Sequence, residues 1–340
     1  MIQRVRLMVV VARPAVLILL GLFAETGLAV AGHAEDPVLL GQVLAVVVGF
    51  LMFSVACNDL ADEAIDRVNL PHDRRKPLVA GISTRRDMLV TAVASATLAL
   101  GVSAFLRWPA ILVTAAGLAL SAAYSLPPLR LAKRGAVASL MLPACYVATP
   151  YLLGVYATGT GVGARELLLL AGLYVGFVGR ILLKDFRDVR GDALFGKRTF
   201  LVRHGRRATC VFSACCWLAG AVLLMVAAPH ATPVLLLGMA AYALISVALL
   251  RALAGADRPH REELLVSALA IVGRGMVLML VTHLSTMDTL GILPGQPLVA
   301  LVGVLMLAQA ARMLRYGPAT RPIAVPADAR QRVDSVTPLP

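Results

Sequence analysis

Residues 38–67 read VLLGQVLAVVVGFLMFSVACNDLADEAIDR. The first twenty positions, Val38 to Cys57, carry no charge, whereas the next ten hold Asp59, Asp62, Glu63, Asp66 and Arg67. About twenty apolar residues is the length a helix needs to cross the hydrocarbon of a bilayer. The acidic stretch therefore falls where such a helix leaves the membrane. Its aspartates are spaced by three and then four residues, which places three carboxylates on one face of a helix continuing outward, within about 6 Å per step along the axis.

The rest of the chain repeats the apolar half of this pattern. Of 340 residues, 59% are hydrophobic and 15% charged, and the mean hydropathy is +0.82. Such a composition excludes a soluble globular protein and an intrinsically disordered one. Ten runs of spanning length occur, near 12–32, 38–57, 88–106, 109–126, 136–157, 166–183, 208–228, 232–253, 264–284 and 297–314. They lack the alternation of barrel strands, so the expected fold is an all-α integral membrane protein, a bundle of nine or ten transmembrane helices. The run at 12–32 is longer than a signal-peptide core and reads as a retained helix. Residues 1–315 form the expected transmembrane domain, and 316–340, rich in proline and scattered charge, a disordered cytoplasmic tail.

A formal net charge of +13 accompanies this apolar chain. If the helices alternate in direction, 28 of the 32 Lys and Arg residues fall on one side, with Arg107 and Arg165 opposite and Arg180 and Arg274 within spans. Cytoplasmic loops retain cations, so the expected location is the cell membrane, multi-pass, with both termini cytoplasmic and the lipid bilayer as partner. Diluted cations and aromatics at 5% give no nucleic-acid surface.

The acidic pattern recurs. After the sixth run comes Lys184-Asp185-Phe186-Arg187-Asp188-Val189-Arg190-Gly191-Asp192, with Asp185, Asp188 and Asp192 each 126 positions beyond Asp59, Asp62 and Asp66. Like charges at these steps repel. Carboxylate oxygens suit Mg²⁺, which commonly bridges protein carboxylates to a substrate's phosphates, so two such faces at one membrane surface would clamp a diphosphate. Basic residues nearby suit the same target. Lys133 and Arg130 lie in the segment Tyr124 to Arg134, where Pro127 and Pro128 stop the fourth helix, and Arg13, Arg67, Arg75 and Lys184 are further candidates.

Asn58-Asp59-x-x-Asp62-x-x-x-Asp66, Tyr124-Ser125-x-Pro127-Pro128-x-Arg130 and Asp185-x-x-Asp188-x-x-Gly191-Asp192 together resemble the signature regions of the UbiA superfamily of intramembrane prenyltransferases. The resemblance covers roughly residues 10–285. It implies a bundle, usually of nine spans, around a central cavity with a cytoplasmic cap carrying both motifs. It also implies Mg²⁺ held by Asn58, Asp62 and Asp66 of the first motif and Asp188 and Asp192 of the second, binding an isoprenyl diphosphate. Asp62, Asp66, Asp188 and Asp192, with Lys133 and Lys184, are then the expected catalytic set, stabilising charge on the departing diphosphate. Asp59 and Asp185 complete the metal candidates, and Tyr124, Arg130, Lys133, Arg67 and Arg13 the substrate-binding ones. The segments Asp66 to Pro71, Arg75 to Gly81 and Gly196 to Thr199 look more like members acting on chlorophyllide, homogentisate or archaeal glycerol phosphates than on 4-hydroxybenzoate.

The expected reaction is Mg²⁺-dependent transfer of an isoprenyl group to an aromatic or lipid-like acceptor. Two alternatives stand beside it: cyclisation of the diphosphate without an acceptor, and cation-coupled transport, for which midspan charges would be expected. Only Arg180 and Arg274 are expected inside spans. Cys57, Cys145, Cys210, Cys215 and Cys216, and the six histidines, lack metal-ligand spacing and read as packing or surface residues.

Overall fold

The computed structural model describes residues 11–33, 36–69, 76–186 and 199–286, together with a few positions between 303 and 311. Among the described residues every regular element is helical. In chain order they are α1 (Pro14–Val30), α2 (Pro37–Asn69), α3 (Arg85–Ser103), α4 (Trp108–Ser125), α5 (Ala136–Pro143), a π-helical turn (Ala144–Ala148), α6 (Thr149–Ala157), α7 (Ala164–Ile181), α8 (Phe200–Ala227), α9 (Pro233–Ala254) and α10 (Pro259–Thr286). Eight helices, with 137–157 counted as one, are long and apolar enough to cross a membrane, and α1 is a shorter apolar helix. Nine of the ten expected runs thus become helices. Most of the tenth, and the tail from 316, lie outside the described residues.

Local chemistry sets the helix starts. Thr84 and Asp87 form a reciprocal capping box on α3. On α8 and α9 the caps are Thr199 and Thr232, whose hydroxyls accept the amides of Val202 and Leu235. Proline opens α1 at Pro14 and α9 at Pro233, where its missing N–H is not needed. Large apolar side chains such as Phe105, Val226, Val234 and Leu237 point outward and are more than 70% exposed, which suits a lipid environment and no aqueous one.

Four sequence expectations need correction. The apolar run at 136–157 is not one α-helix, because Pro143 removes a backbone donor and the chain passes through a π turn before α6. α8 starts at Phe200 rather than 208 and breaks at Gly205, whose φ of 76° only glycine adopts without strain. α10 starts at Pro259 rather than 264. Finally, Arg180 and Arg274 are not the only charges inside the spans: Glu25 sits within α1, 2% exposed, its Oε2 without a hydrogen-bond partner.

The core falls into two large clusters that meet along α1. Leu22 and Phe23 pack toward α7–α10, while Leu20, Ala24 and Leu28 pack toward α2–α4. Small residues permit the closest crossings, as expected where lipid removes the hydrophobic drive between helices. Gly27 of α1 lies against the Tyr151 carbonyl of α6, and Gly154 of α6 against the Ala24 carbonyl of α1.

Candidate active site at one end of the bundle

Asn58 and the acidic residues Asp59, Asp62 and Asp66 all lie near the end of α2, which runs on well past the apolar run as its sequence demands. The helix faces Asp59 and Asp66 the same way, one behind the other, and a single cation joins them. Lys76 Nζ lies 2.9 Å from Asp59 Oδ1 and 2.7 Å from Asp66 Oδ2. Arg13, at the mouth of α1, adds a second ion pair to Asp59 Oδ1 at 2.9 Å. Asp62 is held from the other side: Arg130 Nη2 donates to its Oδ1 at 3.2 Å and to the Ala61 carbonyl at 2.5 Å. Asn58 Nδ2 donates to Asp62 Oδ2 at 3.0 Å.

Arg130 reaches α2 because the chain leaves α4 through Pro127 and Pro128 and turns at Arg130 itself, with φ 39°. The 3₁₀ turn Leu131–Lys133 follows, leaving Lys133 exposed. Tyr124, on the last turn of α4, is buried, and its hydroxyl accepts a hydrogen bond from Lys184 Nζ at 3.4 Å. Lys184 and the buried Asp185 close the 3₁₀ turn after α7. They line an open cleft with Ala132, Ser139 and Thr199.

Five parts of the chain thus meet at one end: the start of α1, the end of α2, the turn after it, the exit from α4 and the exit from α7. Of the sequence candidates, Arg13, Asp59 and Asp66 are joined through Lys76, Asn58, Asp62 and Arg130 form a second group on the same helix end, and Tyr124 and Lys184 form a neighbouring pair. Arg67 stands apart, pairing with Glu63 one turn back at 2.9 Å and exposed. Arg75, Asp188 and Asp192 lie outside the described residues.

Sequence reasoning missed three contributors. Lys76 is hidden in the basic run Arg74-Arg75-Lys76, where nothing marks one cation as the inward one. Ser54 stands one turn before Asn58, a spacing that is legible in the sequence. Its Oγ lies 3.2 Å from the hydroxyl of Tyr146, which the π turn carries inward.

Arg274, a midspan charge, is 3% exposed and donates from Nε to the Ala270 carbonyl one turn back at 3.0 Å. The flanking Gly273 and Gly275 let Trp217 and Tyr242 close over α10 on either side.

The donor set fits Mg²⁺ in kind. It consists of carboxylate and amide oxygens, and Asp59 Oδ2 is buried without a hydrogen-bond partner. Among the described residues no three His, Cys, Asp or Glu side chains converge on one metal position. Cations of the chain itself already compensate the first motif's carboxylates.

The profile of the UbiA prenyltransferase family matches residues 17–272. The chain belongs to this family. With its apolar helices, membership makes it a multi-pass membrane protein. It is similar to the bacteriochlorophyll synthase 34 kDa chain of Chloroflexus aurantiacus, 30% identical over 45% of this chain and 48% of that one. It is also similar to the digeranylgeranylglyceryl phosphate synthase of Pyrococcus abyssi, 30% identical over 62% of this chain and 74% of that one. The chain spans about half the length of the first curated relatives it matches.

Solved structures carry the fold. One concerns digeranylgeranylglyceryl phosphate synthase in membranes, with TM-score 0.64 and 17% identity over 84% of this chain and 100% of that one. Another is a UbiA homologue from Archaeoglobus fulgidus bound to DMAPP and Mg²⁺, with TM-score 0.59 and 14% identity over 82% of this chain and 99% of that one. The UbiA resemblance and the all-helical fold read from the sequence are therefore correct.

Proposed function

We propose that the protein is a Mg²⁺-dependent prenyltransferase, moving an isoprenyl group from its diphosphate to an aromatic or lipid-like acceptor at the mouth of the bundle. The reading rests above all on the convergence of acidic and basic side chains from five chain segments over an apolar helical interior. Family membership, relatives named as synthases of bacteriochlorophyll and of digeranylgeranylglyceryl phosphate, and a neighbour holding DMAPP and Mg²⁺ support it.

Asn58, Asp62 and Asp66 from α2, with Asp59, are the proposed metal side of the first motif, and Asp185, Asp188 and Asp192 that of the second. Bound there, Mg²⁺ supplies positive charge to the diphosphate oxygens as the allylic C–O bond breaks. Arg13 and Arg130, fixed by their ion pairs with Asp59 and Asp62, present remaining guanidinium N–H groups to the same oxygens. Lys184, oriented by Tyr124, and Lys133, exposed beside it, complete the cationic rim, and Arg67 lies on its outer edge. Packed apolar walls beneath keep water from the allylic cation until the acceptor takes it. The site lies on the cytoplasmic face of the cell membrane, because nearly all the cations share its side.

Asp62→Ala in purified protein tests the reading. With geranylgeranyl diphosphate and Mg²⁺, diphosphate release is expected to fall by about 100-fold or more, the order of loss when one preorganised electrostatic element is removed. Unchanged release would remove the metal assignment. A hydrocarbon or alcohol formed without acceptor would replace transfer by cyclisation.

A further inference from the structure

Arg206 stands on α8 directly after Gly205, where the helix breaks and the chain changes course. Its Nη1 donates to the Ala256 carbonyl at 2.7 Å and to the Leu253 carbonyl at 3.4 Å, and its Nη2 pairs with Glu262 Oε1. Both partners follow from helix ends. The last carbonyls of a helix lack intrahelical partners and attract a cation, and α9 closes at Ala254. Glu262 lies in the first turn of α10, where the helix dipole favours an acid. One guanidinium therefore ties α8 to the junction of α9 and α10.

The same group covers a ring of the second acidic motif. Arg206 Cζ lies 5.5 Å from the centroid of Phe186, within the range of a cation–π contact. Phe186 directly follows the buried Asp185 and stands two residues before Asp188. A guanidinium is planar with its donors fixed in a fork, so engaging Nη1 and Nη2 fixes the plane that Phe186 meets. Glu262 balances the charge, and the contact orients the motif without adding net charge beside its carboxylates. On the other side of the break, Thr199 caps α8 and lines the cleft that holds Lys184 and Asp185. The turn at Gly205 thus lets the start of α8 meet the motif twice. At the first motif, Lys76, Arg13 and Arg130 grip carboxylates directly; Arg206 grips the ring between two of them.

We propose that Arg206 is a positioning residue for the second acidic motif. Clamped by Glu262 and the end of α9, it fixes Phe186, and through Phe186 the orientation of Asp185 and of the chain leading to Asp188. Arg206 itself contacts neither metal nor diphosphate. The inference rests on the prenyltransferase reading and supplies the device that orients its second metal-binding half.

The test titrates Mn²⁺, a paramagnetic stand-in for Mg²⁺, into the full-length protein and reads the bound ion by electron paramagnetic resonance. Arg206→Met and Phe186→Leu are each expected to weaken Mn²⁺ binding about 10-fold or more, the order of loss when a group that orients a metal ligand is removed. Phe186→Tyr keeps the ring and should bind as the unaltered protein does. Should Arg206→Met fail to fold, Phe186→Leu carries the same reading with the Arg206–Glu262 pair left in place. A folded variant that loses thermal stability but keeps its Mn²⁺ affinity overturns the proposal, as does an equal loss in Phe186→Tyr. Hydrogen exchange gives a second reading without metal: the backbone amides of 182–186 should exchange about 10-fold faster in Arg206→Met, as a local opening that has lost a restraint does. Unchanged exchange also overturns the clamp. If the unaltered protein binds no Mn²⁺, the metal assignment of the prenyltransferase reading falls, and the exchange rates still decide whether Arg206 holds the motif.

Discussion

Lys76 holds together what the spacing of α2 pushes apart. Asp59 and Asp66 are two turns apart on one face, both largely buried, and Lys76 Nζ touches both. Without it, Asp66 would lose its counter-ion, and breaking a buried ion pair by removing one partner costs about 3–5 kcal/mol. Lys76→Met is therefore expected to lower the melting temperature in the absence of divalent cations. Mg²⁺ should then restore more stability to the variant than it adds to the unaltered protein, since a ligand that binds only the folded state stabilises it. Melting curves with and without Mg²⁺ check this. An equal Mg²⁺-induced rise in both proteins would mean that Lys76 and the metal act on different groups.

At the scale of elements, the α1–α6 crossing fixes where the site's parts come together. Gly27 and Gly154 each meet the other helix's backbone with no room for a side chain. Because α1 carries Arg13 at its mouth and α6 follows the π turn with Tyr146, spreading this crossing displaces both side chains. Gly154→Leu should destabilise the fold by about 3 kcal/mol, the upper part of the range for overpacking. Gly161→Ala, in open space, should stay within about 0.5 kcal/mol of the unaltered protein. Thermal unfolding of the two variants in the same detergent gives the comparison, and equal stabilities would contradict the close crossing.

For the whole molecule, the alternation of helices makes a topological statement. Arg107, at the start of α4, packs beside Gly159 in the α6–α7 loop, close in sequence to Arg165. The two cations that the charge count sets apart therefore share the end opposite the acidic network. In a background with the five cysteines replaced by alanine, Arg134→Cys should react with an impermeant maleimide only from the cytoplasmic side. Thr160→Cys should react only from the other. Both labelling from one side would break the alternation, and a reversed pattern would keep the alternation and invert the orientation.

The helical class, nearly every span and the position of the first acidic face are legible in the chain's linear pattern. Those features depend on local quantities: the length of an apolar run, a 3.6-residue period and the charge that ends it. Glu25 is equally visible in the sequence, though a run otherwise apolar conceals it. That Lys76 turns inward, that Arg130 reaches Asp62 from beyond two prolines, and that Tyr146 meets Ser54 emerge only in the folded chain. Each joins residues at least 17 positions apart. Their pairing depends on how helices cross and on which backbone groups a π turn or a glycine lets approach, and no run of neighbouring residues encodes that.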